Sequence, residues 1–259
     1  MTDLDLSNPG LSLLLFSVAL MAGVVNGVAG GGGLLLFPTL ILTGMPPVQA
    51  NATNTASLWV GTVASTIAYR EELISLRREL PLLTFTSVVG GILGAYLLLQ
   101  TPTTTFTALI PYLMLTATLT FAFGKPAIQW LRTRNSQQAH YQLPITIALP
   151  LQFAIAVYIG FFGGGAGIVI LALLDLMGLK NVHTMNAAKT WLATCTNGIA
   201  MLTFILAHAV LWSQALLMSV GASIGGYASA YFARQLHPAW VRGSVISIGC
   251  VITAYFFVK

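Results

Sequence analysis

Charged side chains are scarce in this sequence: they make up 7% of its 259 residues, and only six residues are acidic. A soluble globular domain carries roughly 25% charged residues, so the composition excludes an ordinary soluble domain. With 56% hydrophobic residues and a mean hydropathy of +0.84, the chain is expected to cross a membrane several times. The lack of a basic patch with interleaved aromatic residues argues against a nucleic-acid partner.

Cysteine and catalytic motifs are equally rare. The two cysteines, Cys195 and Cys250, both lie inside apolar segments, which argues against a disulfide framework or a metal site. No GxxxxGK[ST] pattern occurs, so an ATP-driven pump would need a separate subunit. The apolar segments contain no paired carboxylates, His/Glu cluster or activated nucleophile. We therefore predict no catalytic residue, metal ligand or cofactor, and an integral-membrane enzyme is the less favoured alternative.

What the sequence does contain is a series of apolar segments, which predicts an all-α, polytopic membrane protein in a bacterial-type cell membrane. The segments lie at 11–28, 31–43, 52–69, 80–99, 104–123, 144–162, 165–178, 188–207, 211–232 and 240–258. About 14 residues of helix reach only ~20 Å, whereas the hydrocarbon core is ~30 Å thick. Segments 31–43 and 165–178 are therefore predicted to be half-helices, alongside about eight full spans.

Two glycine-rich runs interrupt these apolar segments, at Asn26–Gly33 and Gly160–Gly167. Glycine weakens helix interiors and permits backbone conformations closed to other residues. Within a membrane, unwound backbone survives only where protein or a wet cavity shelters it. We therefore predict two broken helices whose freed amide groups point at a ligand. Breaks at matching places in two halves indicate a transporter's binding site.

The two halves of the chain resemble each other. Gly44 aligns with Gly178, and Gly90–Tyr96 aligns with Gly221–Tyr227. This internal duplication predicts a first transmembrane repeat at residues 1–123, a basic cytoplasmic linker at 124–143 and a second repeat at 144–259.

Basic residues predict the orientation of the repeats, because Lys and Arg accumulate in cytoplasmic links. All the basic links can lie in the cytoplasm only if each half-helix pair starts and ends on the same side of the membrane. Each repeat then has an odd number of crossings, so the repeats are inverted relative to each other and both termini are external. The basic residues used are Arg70, Arg77, Arg78, Lys125, Arg132, Arg134, Lys180, Arg234 and Arg242.

Polar stripes follow both glycine runs. One runs at helical spacing from Asn51 to Thr62, in a helix predicted to start near Asn51, and the other from Asn186 to Asn197. Helix N-termini attract anions through unpaired amides and the helix dipole, so we predict that both stripes face one central anion site. The alternative is that these side chains only join helices, and it is equally favoured for Thr62 and Asn197.

Lys189 is the only basic residue beside a polar stripe. An ionisable residue inside a membrane indicates function, whereas the alternative is a side chain that reaches the cytoplasmic interface. The predicted substrate-binding residues are Asn51, Asn54, Thr55, Asn186, Lys189, Thr190, Gly30, Gly31, Gly32, Gly163, Gly164 and Gly165.

Taken in order, these motifs support a resemblance to a known family that covers nearly the whole chain. They comprise Gly27–Gly33 with Pro38, Gly44–Asn54, Gly160–Gly167 with Gly178, and Asn186–Thr190. In this order, with a duplicated partner for each, they resemble the sulfite exporter TauE/SafE family of membrane transporters.

The resemblance implies a single membrane domain that moves small, often sulfur-containing anions such as sulfite or sulfonates. We therefore expect a secondary transporter of a small anion, working by alternating access, with a proton or another ion as candidate coupling partner. A passive anion channel is the alternative. Substrate identity, transport direction and oligomeric state stay open.

Overall fold

The fold was obtained as a computed structural model that describes residues 8–74, 80–135, 143–179, 181–232 and 238–258. Helices are the only regular secondary structure of these residues, as the sequence predicts. In chain order they are α1 (Pro9–Ala29), α2 (Gly33–Leu42), α3 (Pro47–Ala68), α4 (Arg70–Leu73), α5 (Leu80–Gln100), α6 (Thr103–Asn135), α7 (Ile145–Phe161), α8 (Ala166–Leu176), α9 (Val182–Leu206), α10 (Trp212–Phe232) and α11 (Pro238–Val258). The single-turn α4 is the one helix that the apolar segments did not predict.

Three stretches within the described residues are long and apolar enough to cross a membrane by length and hydropathy alone: Pro9–Gly27, Leu80–Gln100 and Thr103–Gly124. That is fewer than the eight full spans predicted, and the span count stays a prediction. Buried polar side chains such as those of Thr53 and Ser57 lower the mean hydropathy of α3. Large apolar side chains lie on the outer surface, including Phe85 at 68% exposure, as a lipid-facing surface requires.

Both predicted half-helices are present and short. The 10 residues of α2 and the 11 residues of α8 correspond to about 15–17 Å of helix, too little to cross a ~30 Å core. Two residues after the last residue of each helix comes a glycine with positive φ, +89° at Gly44 and +92° at Gly178. Glycine adopts this left-handed conformation without the steric cost that a Cβ brings.

Two helices start earlier than predicted, and this changes the role of their first polar residues. α3 begins at Pro47, whose fixed φ and missing N–H suit the first helical position. α9 begins at Val182, because the Asn181 side chain accepts hydrogen bonds from the first-turn amides of His183 and Thr184. Asn51 therefore lies inside its helix rather than at its free N-terminus, and the same holds for Asn186.

Close helix pairs connect the two halves of the chain: α1 packs along α10, and α5 packs along α7. A Cβ atom built at Gly90 would lie 2.7 Å from the Phe153 carbonyl oxygen, and one built at Gly221 would lie 2.7 Å from the Phe16 carbonyl oxygen. Only glycine permits these approaches, so these small residues allow the paired helices to pack closely.

The predicted basic linker at 124–143 begins as a continuation of α6, which extends to Asn135 despite Pro126 in its interior. Several basic residues used to predict orientation lie outside the described residues, namely Arg77, Arg78, Lys180 and Arg234. The inverted arrangement of the repeats stays a prediction.

Candidate functional site

The two glycine runs break their helices and meet. α1 ends at Ala29 and is capped by Gly30, whose φ of +80° is left-handed. The second run has two left-handed residues, Gly163 at +79° and Gly165 at +71°. A Cβ atom at Gly30 would lie only 2.7 Å from the Cα atom of Gly167. The backbones of the two breaks are therefore in direct contact.

A cavity of about 40 Å³ lies at this junction. A single water needs roughly 10–15 Å³ on the same measure, so there is room for about three waters or one small anion. The lining combines both breaks with the polar stripes of α3 and α9. The residues are Asn26, Gly30, Thr62, Ile159, Gly163, Ala166, Gly167, Lys189, Thr190, Ala193 and Asn197.

The second break is fixed by hydrogen bonding and aromatic packing. The Tyr158 hydroxyl donates to the Gly164 carbonyl oxygen at 2.6 Å, which satisfies a carbonyl freed by the break. Phe162 packs edge-on against Phe37 of α2, with ring centroids 5.3 Å apart. These contacts fix the position at which α8 restarts.

The first residues of α8 give the cavity a positive wall. Gly165 caps α8 without a side-chain hydrogen bond, and Ala166 and Gly167 line the cavity. The first amides of a helix have no acceptor within the helix, and the helix dipole adds positive potential there. A negatively charged group in the cavity would meet both.

Lys189 contributes the only formal charge among the described residues that line the cavity. Its side chain is 2% exposed, and the residue lies in the second turn of α9. The arrangement of amides and ammonium suits a small anion.

Two threonines line the cavity from different helices, and both donate their hydroxyl proton to their own helix. Thr62 Oγ1 donates to the Trp59 carbonyl oxygen at 2.8 Å, and Thr190 Oγ1 donates to the Asn186 carbonyl oxygen at 2.6 Å. A hydroxyl has one proton and two lone pairs. These oxygens therefore offer acceptors, rather than donors, to a bound molecule.

Four of the predicted site residues line the cavity: Gly30, Gly163, Lys189 and Thr190. The structure places the remaining eight outside the lining. They are Asn51, Asn54, Thr55, Asn186, Gly31, Gly32, Gly164 and Gly165.

The asparagines of α3 serve other contacts. Asn51 is 1% exposed, and its Nδ2 donates at 3.1 Å to the carbonyl oxygen of Phe161, the last residue of α7. Asn54 lies beside the start of α2, since a Cβ atom at Gly33 would be 3.4 Å from its Nδ2. Thr55 donates to the Asn51 carbonyl oxygen at 2.9 Å. Asn51 thus joins α3 to the end of α7.

Sequence reasoning did not single out Asn26, Ile159, Ala166 and Gly167, placed Ala193 on the second stripe without a role, and left Thr62 and Asn197 undecided. Asn26 and Gly167 lie within the glycine-rich runs, so their position beside a break was the available signal. Ala166 and Gly167 act through backbone amides, which have no residue-type signature. Among the described residues, no group of three or more His, Cys, Asp or Glu side chains could hold a metal ion.

Known proteins match this chain over almost its full length. The family model for the sulfite exporter TauE/SafE matches residues 15–256. A probable membrane transporter protein, ORF9, from Sinorhizobium sp is 31% identical over 249 residues, which cover 93% of this chain and 91% of that protein. The probable membrane transporter protein YfcA of Escherichia coli K12 is 30% identical over 254 residues, which cover 97% of this chain and 91% of that protein.

A probable membrane transporter protein from Haemophilus influenzae is 28% identical over 249 residues, which cover 95% of this chain and 94% of that protein. No solved structure matches the chain. The family and these relatives are membrane transporters rather than enzymes, and the apolar helices agree with a multi-pass protein of a bacterial membrane. The chain belongs to the sulfite exporter TauE/SafE family of membrane transporters.

Proposed function

We propose that this protein is a secondary transporter of a small, sulfur-containing anion of the sulfite, sulfonate or thiosulfate type, and that the cavity between the two breaks is its binding site. One observation carries the proposal: the buried Lys189 and the uncapped start of α8 line the same cavity. The Lys189 side chain is only 2% exposed, which favours a role in the site over a position at the membrane interface.

The expected strength of the site follows from simple electrostatics. At an effective dielectric near 20, a charge pair about 4 Å apart is worth roughly 4 kcal/mol before desolvation. After desolvation, a charge-assisted hydrogen bond contributes about 1–3 kcal/mol. At 1.4 kcal/mol per decade, loss of the charge corresponds to roughly a ten- to hundredfold weaker affinity.

Alternating access is proposed from the packing of the halves. Under the predicted repeat, α1 corresponds to α7 and α10 corresponds to α5. The contact of α1 with α10 and the contact of α7 with α5 are then equivalent, as a two-fold relation between the repeats would produce. Inverted repeats that rock against each other around a central site are a common transporter mechanism.

The test is a binding screen of the purified full-length protein. Thermal shift and calorimetry against sulfite, thiosulfate, sulfoacetate, sulfate and small carboxylates should show stabilisation by at least one sulfur oxyanion, since a ligand that binds only the native state raises its stability. Lys189→Met should lose most of this effect, and Lys189→Arg should retain part of it because the charge survives. Binding by Lys189→Met at the parent's affinity would contradict the proposed site.

A passive anion channel is the second candidate, since it also needs a positive cavity. Reconstituted protein in sealed vesicles separates the two. A coupled transporter accumulates the anion against its gradient when the coupling-ion gradient is imposed, whereas a channel only equilibrates it.

A further inference from the structure

Small residues make up much of the wall of the cavity. Five of the eleven described residues that line it are glycine or alanine: Gly30, Gly163, Ala166, Gly167 and Ala193. A glycine presents only backbone atoms, and an alanine adds a single methyl group. A long side chain can move aside by changing its rotamer, but these residues have no rotamer to change. This part of the wall can therefore adapt to a ligand only if the helices themselves move.

Contacts of the two breaks limit such a movement. A Cβ atom built at Gly30 would lie 2.7 Å from the Cα atom of Gly167, so the backbones of the two breaks already touch. A Cβ atom built at Gly165 would lie 2.9 Å from the Ala117 carbonyl oxygen, so the start of α8 is also in close contact with α6. Close-packed interiors resist deformation. The cavity of about 40 Å³ is therefore near the largest enclosed ligand that the breaks permit.

We propose that the cavity selects its anion by size, that it accepts a compact sulfur oxyanion and excludes a sulfonate with a longer tail, and that Ala193 sets the limit. This inference rests on the proposed function and specifies the substrate class of the same site. Sulfite, thiosulfate and methanesulfonate are compact anions, comparable in size to the few waters for which there is room. Sulfoacetate extends beyond that size by its carboxymethyl tail.

Ala193 is assigned this role by its place on α9. Thr190, Ala193 and Asn197 all line the cavity, and their spacing of three and four residues places them on one face of the helix. Ala193 lies at the middle of this face and is half-buried. Its side chain is one methyl group, so a substitution there changes the width of the cavity without removing a charge or a polar group.

Alkanesulfonates test the limit, because they share one charged head group and differ only in the length of the tail. In an apolar pocket with room to spare, each methylene improves binding by about fourfold. In a cavity that is already full, an added methylene displaces packed atoms and should weaken binding at least about fivefold. Calorimetry of the purified full-length protein should therefore show affinity falling from methanesulfonate to ethanesulfonate to propanesulfonate.

Variants at Ala193 move the limit in both directions. Ala193→Gly removes one methyl group from the wall and should raise the ratio of ethanesulfonate to methanesulfonate affinity at least about fivefold. Ala193→Val narrows the cavity and should weaken methanesulfonate binding more than sulfite binding. Ala200→Gly is the matched control, because Ala200 is a buried alanine of α9 that does not line the cavity. It has the same cost in helix propensity and should keep the ratio of the parent.

An affinity that stays constant or rises with tail length in the parent would overturn the inference. So would an ethanesulfonate-to-methanesulfonate ratio that neither Ala193 variant changes. In both cases, sulfite binding that still depends on Lys189 leaves the proposed function intact, and only the size limit is wrong. If neither sulfite nor methanesulfonate binds the parent, the proposed function fails together with the inference.

Discussion

The two glycine breaks are built alike but surrounded differently. The first contains one left-handed residue, Gly30, and α2 restarts beside the neutral Asn54. The second contains two, Gly163 and Gly165, and α8 restarts at a cavity that Lys189 also lines. Asn54 and Lys189 occupy aligned positions of the predicted repeats. The two copies therefore differ in the charge beside the restarting helix, although residues of both breaks line the cavity.

The contact of the first break with the second gives the largest expected effect. Gly30→Ala combines left-handed strain with a Cβ atom 2.7 Å from the Cα atom of Gly167. Gly44→Ala, at φ +89°, has the same strain but no atom within 4 Å of its Cβ. Strain costs about 1–2 kcal/mol and a core overlap about 1–3 kcal/mol more. Melting temperatures should therefore fall further for Gly30→Ala, and equal losses would show that the breaks are not in tight contact.

A second pair of substitutions compares the two long interfaces. Gly90→Ala in α5 and Gly221→Ala in α10 each place a Cβ atom 2.7 Å from a facing carbonyl oxygen. Both should destabilise the protein, by about 1–3 kcal/mol. Gly243→Ala meets no atom within 4 Å and is the control, expected to be neutral or slightly stabilising. Very unequal losses at Gly90 and Gly221 would argue against equivalent interfaces.

The smallest expected effect concerns the bond that fixes the second break. Tyr158→Phe removes the hydroxyl that donates to the Gly164 carbonyl oxygen at 2.6 Å. The free energy of unfolding should fall by about 1 kcal/mol. Anion affinity should weaken severalfold at most, because the position of α8 loosens while Lys189 is untouched. An affinity loss as large as that of Lys189→Met would place Tyr158 in the site itself.

The sequence predicted the helices and both breaks because these depend on local signals. Apolar segments long enough to span, and glycine runs within them, determine where helices continue and where they fail. The start of α9 was misplaced because capping by Asn181 outweighs the polar character of residues 182–187. The start of α3 was misplaced because the proline at position 47 favours the first helical position.

The cavity could be predicted only in part. Lys189 and Thr190 follow from a polar stripe in an apolar helix, but the same spacing also placed Asn51 and Asn54 in the site. Asn51 instead bonds to the carbonyl oxygen of Phe161 at the end of α7. Which stripe residue meets open space depends on contacts between elements more than 100 positions apart, and spacing along one helix contains no information about them.

One matched pair of variants tests the central claim that the proposed anion site depends on Lys189 and not on Asn54. Lys189→Met and Asn54→Met make the same substitution at aligned positions of the predicted repeats, and sulfite dissociation constants can be measured by calorimetry on each purified protein. Lys189→Met should raise the dissociation constant roughly ten- to hundredfold, and Asn54→Met less than about threefold, below the worth of one neutral hydrogen bond. Equal weakening by both variants, or no weakening by Lys189→Met, would contradict the account.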